Sequence, residues 1–171
     1  IRAAWPDCIM EGCAGGGRRI DLEAIARFHI HQKTDYWFDN EVDQQSIWGL
    51  SQYLPNVSFV AHLNNLTSYS FHSTFAASLC LGWITDVPEF DFIRGKELLS
   101  QYLTFRHLLI GDWYPLLPAT RNLTEWNAVQ FHRLDLNEGL VLIFRHRESP
   151  VSSVSLNLRG LDLINEYEIV Y

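Results

Sequence analysis

Two stretches of this chain carry residue types that could do chemistry together. The first is Glu11-Gly-Cys-Ala-Gly-Gly-Gly-Arg-Arg-Ile-Asp21, set between a strand-like run and a helix-like run. Glycines let a backbone approach a ligand closely, and a helix start offers free N–H groups. A plain tight turn is the competing reading. No Gly-Lys-Ser/Thr follows, so it is not a phosphate loop, and its spacing departs from G-x-G-x-x-G. The second stretch is Thr34-Asp-Tyr-Trp-Phe-Asp39. A carboxylic acid among aromatics is poorly solvated when charged, which raises its pKa and suits a general acid. Flat rings also suit sugar faces. Asp35 is the candidate acid. Either aspartate could instead cap the next helix, and Asp39 is the better cap.

Other chemistries find less support. His29 and His31 stand two apart on a helix-like run and so point in different directions. With no His-Glu-x-x-His and no paired C-x-x-C, no metal site is expected. No nucleophile elbow accompanies a serine or cysteine. Cys80 lies in an apolar run read as helix and is expected to be inert core.

The elements that must hold these residues read as follows. Residues 7–10 form a short buried strand. Asp21 caps a helix with Leu22, Ile25, Ala26 and Phe28 at helical spacing. A strand-like piece covers 33–37, a helix 41–53 and a strand 57–61. A polar loop covers 62–70, a buried helix 72–84 and another helix 90–110. Alternating strands and helices argue for parallel β/α units. From Gly111 onward short alternating runs (113–117, 127–133, 140–146, 154–158, 167–171) are separated by turn residues. They read as an antiparallel β-sandwich. The expected organisation is therefore residues 1–111 as α/β and residues 112–171 as all-β.

Three β/α units do not close a sheet by themselves, and a (β/α)8 barrel needs eight. The N-terminal part thus reads as the last units of a larger barrel, and the chain, which starts at Ile1, as a piece of something longer. It has 171 residues, with 13 basic against 20 acidic side chains and a net charge of −7, which argues against a nucleic-acid partner. The apolar run around 75–84 is about half the ~20 residues a membrane helix needs, so no membrane partner is expected. Three cysteines are no disulfide framework; a Cys8–Cys13 bridge is permitted and not implied.

The order Glu11-x-Cys13-Ala-x-Gly16-Gly17-x-Arg19-x-Asp21, followed by Asp35, resembles the retaining α-galactosidases of glycoside hydrolase family 36. Members carry Glu-Asn-Cys-x-Ser-Gly-Gly-x-Arg-x-Asp at the end of one barrel strand and Ser-Asp at the end of the next. The 44–55 stretch, Gly111-Asp-Trp-Tyr114 and Arg159-Gly-Leu-Asp162 also look like family segments. The resemblance covers nearly the whole chain, but only the C-terminal part of the family's catalytic unit.

The resemblance implies a fold of last barrel units followed by a C-terminal β-sandwich. It implies cleavage of terminal α-galactosides, or related α-glycosides, by two carboxylates. In retaining enzymes these lie roughly 5–5.5 Å apart. Asp35 falls on the general acid/base. Cys13, Gly15, Gly16, Gly17 and Arg19 fall on the segment that contacts the terminal sugar. No cofactor is implied, and the partner is a carbohydrate substrate. The family nucleophile is an Asp after Lys-Trp, a segment this sequence does not contain, so the isolated chain is expected to be inactive. A catalytically inactive carbohydrate-binding or structural relative is the alternative. Gly12 stands where the family has Asn, and Gly15 where it has Ser. Lost side-chain hydrogen bonds to a sugar would alter its recognition.

Overall fold

A computed structural model describes residues 3–36, 38–74 and 76–171. Its first half is a parallel sheet of β1 (Glu11–Gly12), β2 (Ile30–Gln32), β3 (Phe59–Leu63) and β4 (Ser78–Leu81), in that spatial order. Helices α1 (Leu22–Arg27), α2 (Asn40–Leu50) and α3 (Ser68–Ser73) connect successive strands. Helix α4 (Phe92–Phe105) and a 3-10 turn over Arg106–Ile110 follow. The second half is an antiparallel sheet of β5 (Asp112–Pro115), β6 (Trp126–Arg133) and β7 (Glu138–Arg145).

Local chemistry sets the helix starts. The Asp21 carboxylate accepts from Ala24 N, and Asp39 accepts from Glu41 N and Val42 N. Thr67 and Asp91 cap α3 and α4 in the same way. Each cap satisfies donors that the first helical turn leaves without partners.

Alternation along β3 then assigns the two faces of the parallel sheet. Phe59 and Ala61 pack with Ile47, Leu50 and Leu54 around α2, and Leu63 packs with Phe71, Leu98 and Tyr102 from α3 and α4. Val60 and His62 must therefore face the other way. Among the described residues that face joins neither of the two apolar clusters that the helices build, although Val60 and Gln32 on it are only 7% and 6% exposed. It carries polar groups: Gln32 reaches across to His62, which pairs in register with Cys80 of β4. Parallel sheets are found with both faces covered, so this face asks for more protein or a ligand.

The two halves share one core. Val129 and Phe131 of β6 sit with Leu63, Phe71, Leu98 and Leu109. Trp48 donates to Leu117 O and stands edge-on to Trp113, with ring centres 5.7 Å apart. Gln45 donates to Thr120 O. Gln44 donates to Ser73 Oγ at 2.8 Å, while its Oε1 lies 3.2 Å from His146 Nε2.

Several expectations are corrected. Residues 7–9 are exposed and unpaired; the strand starts at Glu11, where backbone pairing with β2 begins. The second strand is Ile30–Gln32 rather than 33–37, and Trp37 lies outside the described residues. His31 is thus on a strand, not a helix. The expected helix over 72–84 (Phe75 lies outside the described residues) is the end of α3 followed by β4. Pairing with β3 and the Asn56 carboxamide, which accepts from Ala77 N, hold this apolar run extended. Cys80 is therefore a strand residue, half-buried. The Val57–Ala61 strand begins two residues later, after a 3-10 turn over Asn56–Ser58. All three cysteines are free thiols.

In the second half β5, β6 and β7 match three expected runs, but 154–158 and 167–171 form no strand. The expected sandwich is, among the described residues, one three-stranded sheet. The trailing segment docks by side chains instead of a backbone ladder. Gln130 donates to Arg159 O and accepts from Arg159 N, and Tyr167 OH donates to Asn137 Oδ1. No helix of the described residues is long and apolar enough to cross a membrane.

Candidate functional site

The two chemical stretches meet at the C-terminal ends of β1 and β2. Cys13 directly follows β1, and the backbone then turns through Gly15, Gly16 and Gly17 at φ of 56°, 64° and 82°. Side chains other than glycine rarely adopt such angles. The turn lies flat on the chain leaving β2. A Cβ on Gly17 would stand 2.3 Å from Lys33 O. One on Gly16 would stand 2.5 Å from Asp35 N and 2.7 Å from its carboxyl carbon. The glycines are thus required by contact as well as by angle.

Asp35 itself is exposed. Asp39, not Asp35, caps α2, which leaves the Asp35 carboxylate available. The aromatics that follow do not enclose it. Tyr36 is 59% exposed and Phe38 63% exposed, and their rings lean together at 5.7 Å. The expected apolar pocket around Asp35 is therefore not built by the described residues of this chain.

Two clefts flank the turn. One, of about 290 Å³, lies on the α1 side and is lined by Cys13, Gly17, Arg19, Asp21 and Phe28 among others. The other, of about 480 Å³, lies beyond Asp35 between the start of α2 and the second half, with Tyr36, Asp39, Glu41, Arg121 and Arg147 on its walls. So Gly16 touches Asp35, whereas Cys13 and Arg19 open onto the neighbouring cleft. A Cβ on Gly15 would meet only the Arg18 side chain, at 3.6 Å. A Cβ on Gly12 would meet the Phe28 ring at 2.9 Å and His31 Nδ1 at 3.3 Å. A side chain at this position would thus press on the Phe28 ring at the end of α1.

Beneath the site lies a buried ion pair. The Lys33 ammonium meets the Asp43 carboxylate of α2 with both side chains fully buried. Burial pushes the Lys33 amine down and the Asp43 carboxyl up, and each partner's charge opposes the other's shift. The pair ties the end of β2 to α2 just before Asp35. Sequence reasoning missed it, and it also missed Glu11, Gln32 and His62 as one group. Burial lowers the His62 pKa, Lys33 lowers it further, and the Glu11 and Asp35 carboxylates pull it back up. A histidine inside the apolar run 57–63 was the available signal. Among the described residues no three His, Cys, Asp or Glu groups gather as metal ligands would.

No family profile matches the chain. An α-galactosidase 1 of Pediococcus pentosaceus is 28% identical over 161 residues, covering 84% of this chain and 21% of that protein. The family-36 α-galactosidase AgaA of Geobacillus stearothermophilus superposes with a TM-score of 0.78 at 24% identity. It covers 95% of this chain and 24% of that one. A variant of it in complex with raffinose gives a TM-score of 0.75 at 22% identity, over 94% of this chain and 24% of that one. At these identities the structural likeness is one of fold. The chain spans about a fifth of the length of its curated relative. It is similar, in sequence to one α-galactosidase and in fold to about a quarter of the length of family-36 α-galactosidases.

Proposed function

We propose that residues 1–111 are a sector of a (β/α)8 barrel of a retaining α-glycoside hydrolase, acting on terminal α-galactosides, with Asp35 as its general acid/base. Residues 112–171 are the supporting β domain beside it. The observation that carries this reading is the contact of the Gly16 backbone with Asp35 at the C-terminal ends of parallel strands, where barrel enzymes build their sites. The polar face of the sheet, with Gln32 and His62 on it and neither apolar cluster behind it, supports it, since such a face would look into the interior of a barrel.

In this reading Asp35 protonates the oxygen of the leaving sugar while a second carboxylate, from outside residues 1–171, attacks the anomeric carbon. Asp35 then takes a proton from the water that releases the sugar. Gly16 stands beside Asp35 where the terminal sugar binds, and Cys13, Gly15, Gly17 and Arg19 are the further sugar-binding residues of the same segment, reaching the sugar from the rim shared with the α1-side cleft. Protein from outside this chain supplies the apolar cover that a general acid needs and that Tyr36 and Phe38 do not give.

The test is Asp35→Ala in the full-length protein. Turnover of α-galactosides with poor leaving groups should fall about 10²- to 10⁴-fold. Substrates with good leaving groups, which need little protonation, should lose far less. Equal, small losses on both would refute the acid/base role. Sugar binding with no turnover in the wild type would favour an inactive carbohydrate-binding relative.

A further inference from the structure

Gln32 fixes the hydrogen-bonding state of His62. Gln32 Nε2 donates to Thr34 O at 3.0 Å, and the same nitrogen lies 3.2 Å from His62 Nδ1. A backbone carbonyl only accepts, so the amide must present its nitrogen there. Its second hydrogen then points at Nδ1, which accepts it. A neutral imidazole that accepts at Nδ1 carries its proton on Nε2. Nε2 makes no hydrogen bond to any described residue. The ring is half-buried on the face of the parallel sheet turned away from the two apolar clusters, and the charges of Glu11 and Asp35 both act on it.

We propose that His62 is a sugar-binding residue whose Nε2–H, set by Gln32, donates to a substrate hydroxyl beside Asp35. The proposal rests on the reading of this face as a sugar site, and not on Asp35 being the acid/base. Gln32 is a positioning residue for it. Its amide holds the Thr34 carbonyl, one residue before Asp35, and the His62 ring with one nitrogen. Burial favours the neutral ring, as a one-way donor requires. Lys33, Glu11 and Asp35 are the charged groups that act on it.

The experiment uses the full-length protein, ¹⁵N-labelled at histidine, titrated with D-galactose and observed by NMR. The free protein should show His62 as the Nε2–H form, and its signals should move as galactose saturates. His62→Phe should weaken galactose binding about tenfold, and should lose nothing against the one monodeoxygalactose that lacks the bonded hydroxyl. Gln32→Glu, which replaces the amide donor by an acceptor, should shift the proton to Nδ1 and weaken binding alike. An Nδ1–H form in the wild type overturns the proposal. So does a His62 signal that stays fixed while galactose binds, or an equal loss against every deoxy sugar. If galactose does not bind at all, the sugar-site reading fails, and this proposal with it. If His62 responds while Asp35→Ala keeps full turnover, only the acid/base reading fails.

Discussion

The Gly16 backbone rests against Asp35 so closely that a single added carbon would fall 2.5 Å from its amide nitrogen and 2.7 Å from its carboxyl carbon. The glycine turn after β1 and the acid after β2 are thus one packed unit, although nineteen positions separate them in sequence. The left-handed angle at Gly16 and the contact with Asp35 each exclude a side chain independently.

Gly15 and Gly16 make a controlled pair. Both have positive φ, but a Cβ on Gly15 meets only the Arg18 side chain, at 3.6 Å. Gly15→Ala should cost about 1–3 kcal/mol of backbone strain and act through KM, as a residue on the sugar side would, with kcat of the full-length protein changed less than about tenfold. Gly16→Ala should cost more and cut kcat at least tenfold, because Asp35 must move. Denaturation curves and steady-state kinetics on the two variants check this. Equal kinetic losses would show that the Asp35 contact is not what matters.

Lys33 and Asp43 place the end of β2 on α2. Removing one partner leaves the other charged and buried, a loss of about 3–5 kcal/mol. Lys33→Met alone should therefore be severely destabilising. Asp43 Oδ2 already lacks a hydrogen-bond partner, so the site is intolerant of further loss. Lys33→Met combined with Asp43→Leu should recover most of the stability, since no charge is then stranded. Urea midpoints of the single and double variants decide it. A double variant as weak as Lys33→Met would mean that the pair itself, not the orphaned charge, holds the fold.

What could be read from the sequence were features set by neighbours in the chain. Asp21 and Asp39 cap their helices because a carboxylate just before a helical run has nearby N–H groups to satisfy. Strands β6 and β7 follow from alternation on either side of the turn over residues 134–137, where Asn137 adopts φ 54°. Strand β4 could not be read this way. An apolar run of that length suits helix or strand equally, and only pairing with β3 decides. The site divides along the same line. The glycine spacing and Asp35 lie in local motifs. The Gln32–His62 contact depends on register between strands thirty residues apart.

Acid should loosen the fold through its histidines. Burial holds His31, His62 and His72 below the ordinary value of 6.5. The folded state then favours the neutral rings. That stabilisation is complete above the unfolded value and is lost as pH falls through the lower folded values. Asp43 opposes the trend, because its raised carboxyl favours the folded state at low pH. The histidines lose their stabilisation as pH falls below 6.5, so the Tm should fall between pH 7 and pH 5, and His72→Gln should flatten the profile. A Tm that holds or rises over that range would contradict the argument.

His146 is the pin between the two halves. It is 1% exposed, with ring nitrogens 3.2 Å from Gln44 Oε1 and 3.1 Å from Asn122 O. Gln44 in turn donates to Tyr69 OH and Ser73 Oγ, so one histidine holds α2, α3 and the loop before β6 in register. The 480 Å³ cleft beyond Asp35 has one wall from α2 and another from Arg121 and Arg147, on either side of this pin. A neutral imidazole donates through one nitrogen only, so His146→Ala removes a hydrogen bond to either Gln44 Oε1 or Asn122 O and leaves that oxygen unpaired in a buried place, a cost of about 1–3 kcal/mol for that group. The variant should unfold earlier and exchange amide hydrogens faster in α2 and β6 together. In the full-length protein, the loss should appear in KM for substrates with long leaving groups, which extend past Asp35, rather than for the smallest ones. Faster exchange confined to the second half, with KM unchanged for all substrates, would show that the sheet does not shape that cleft.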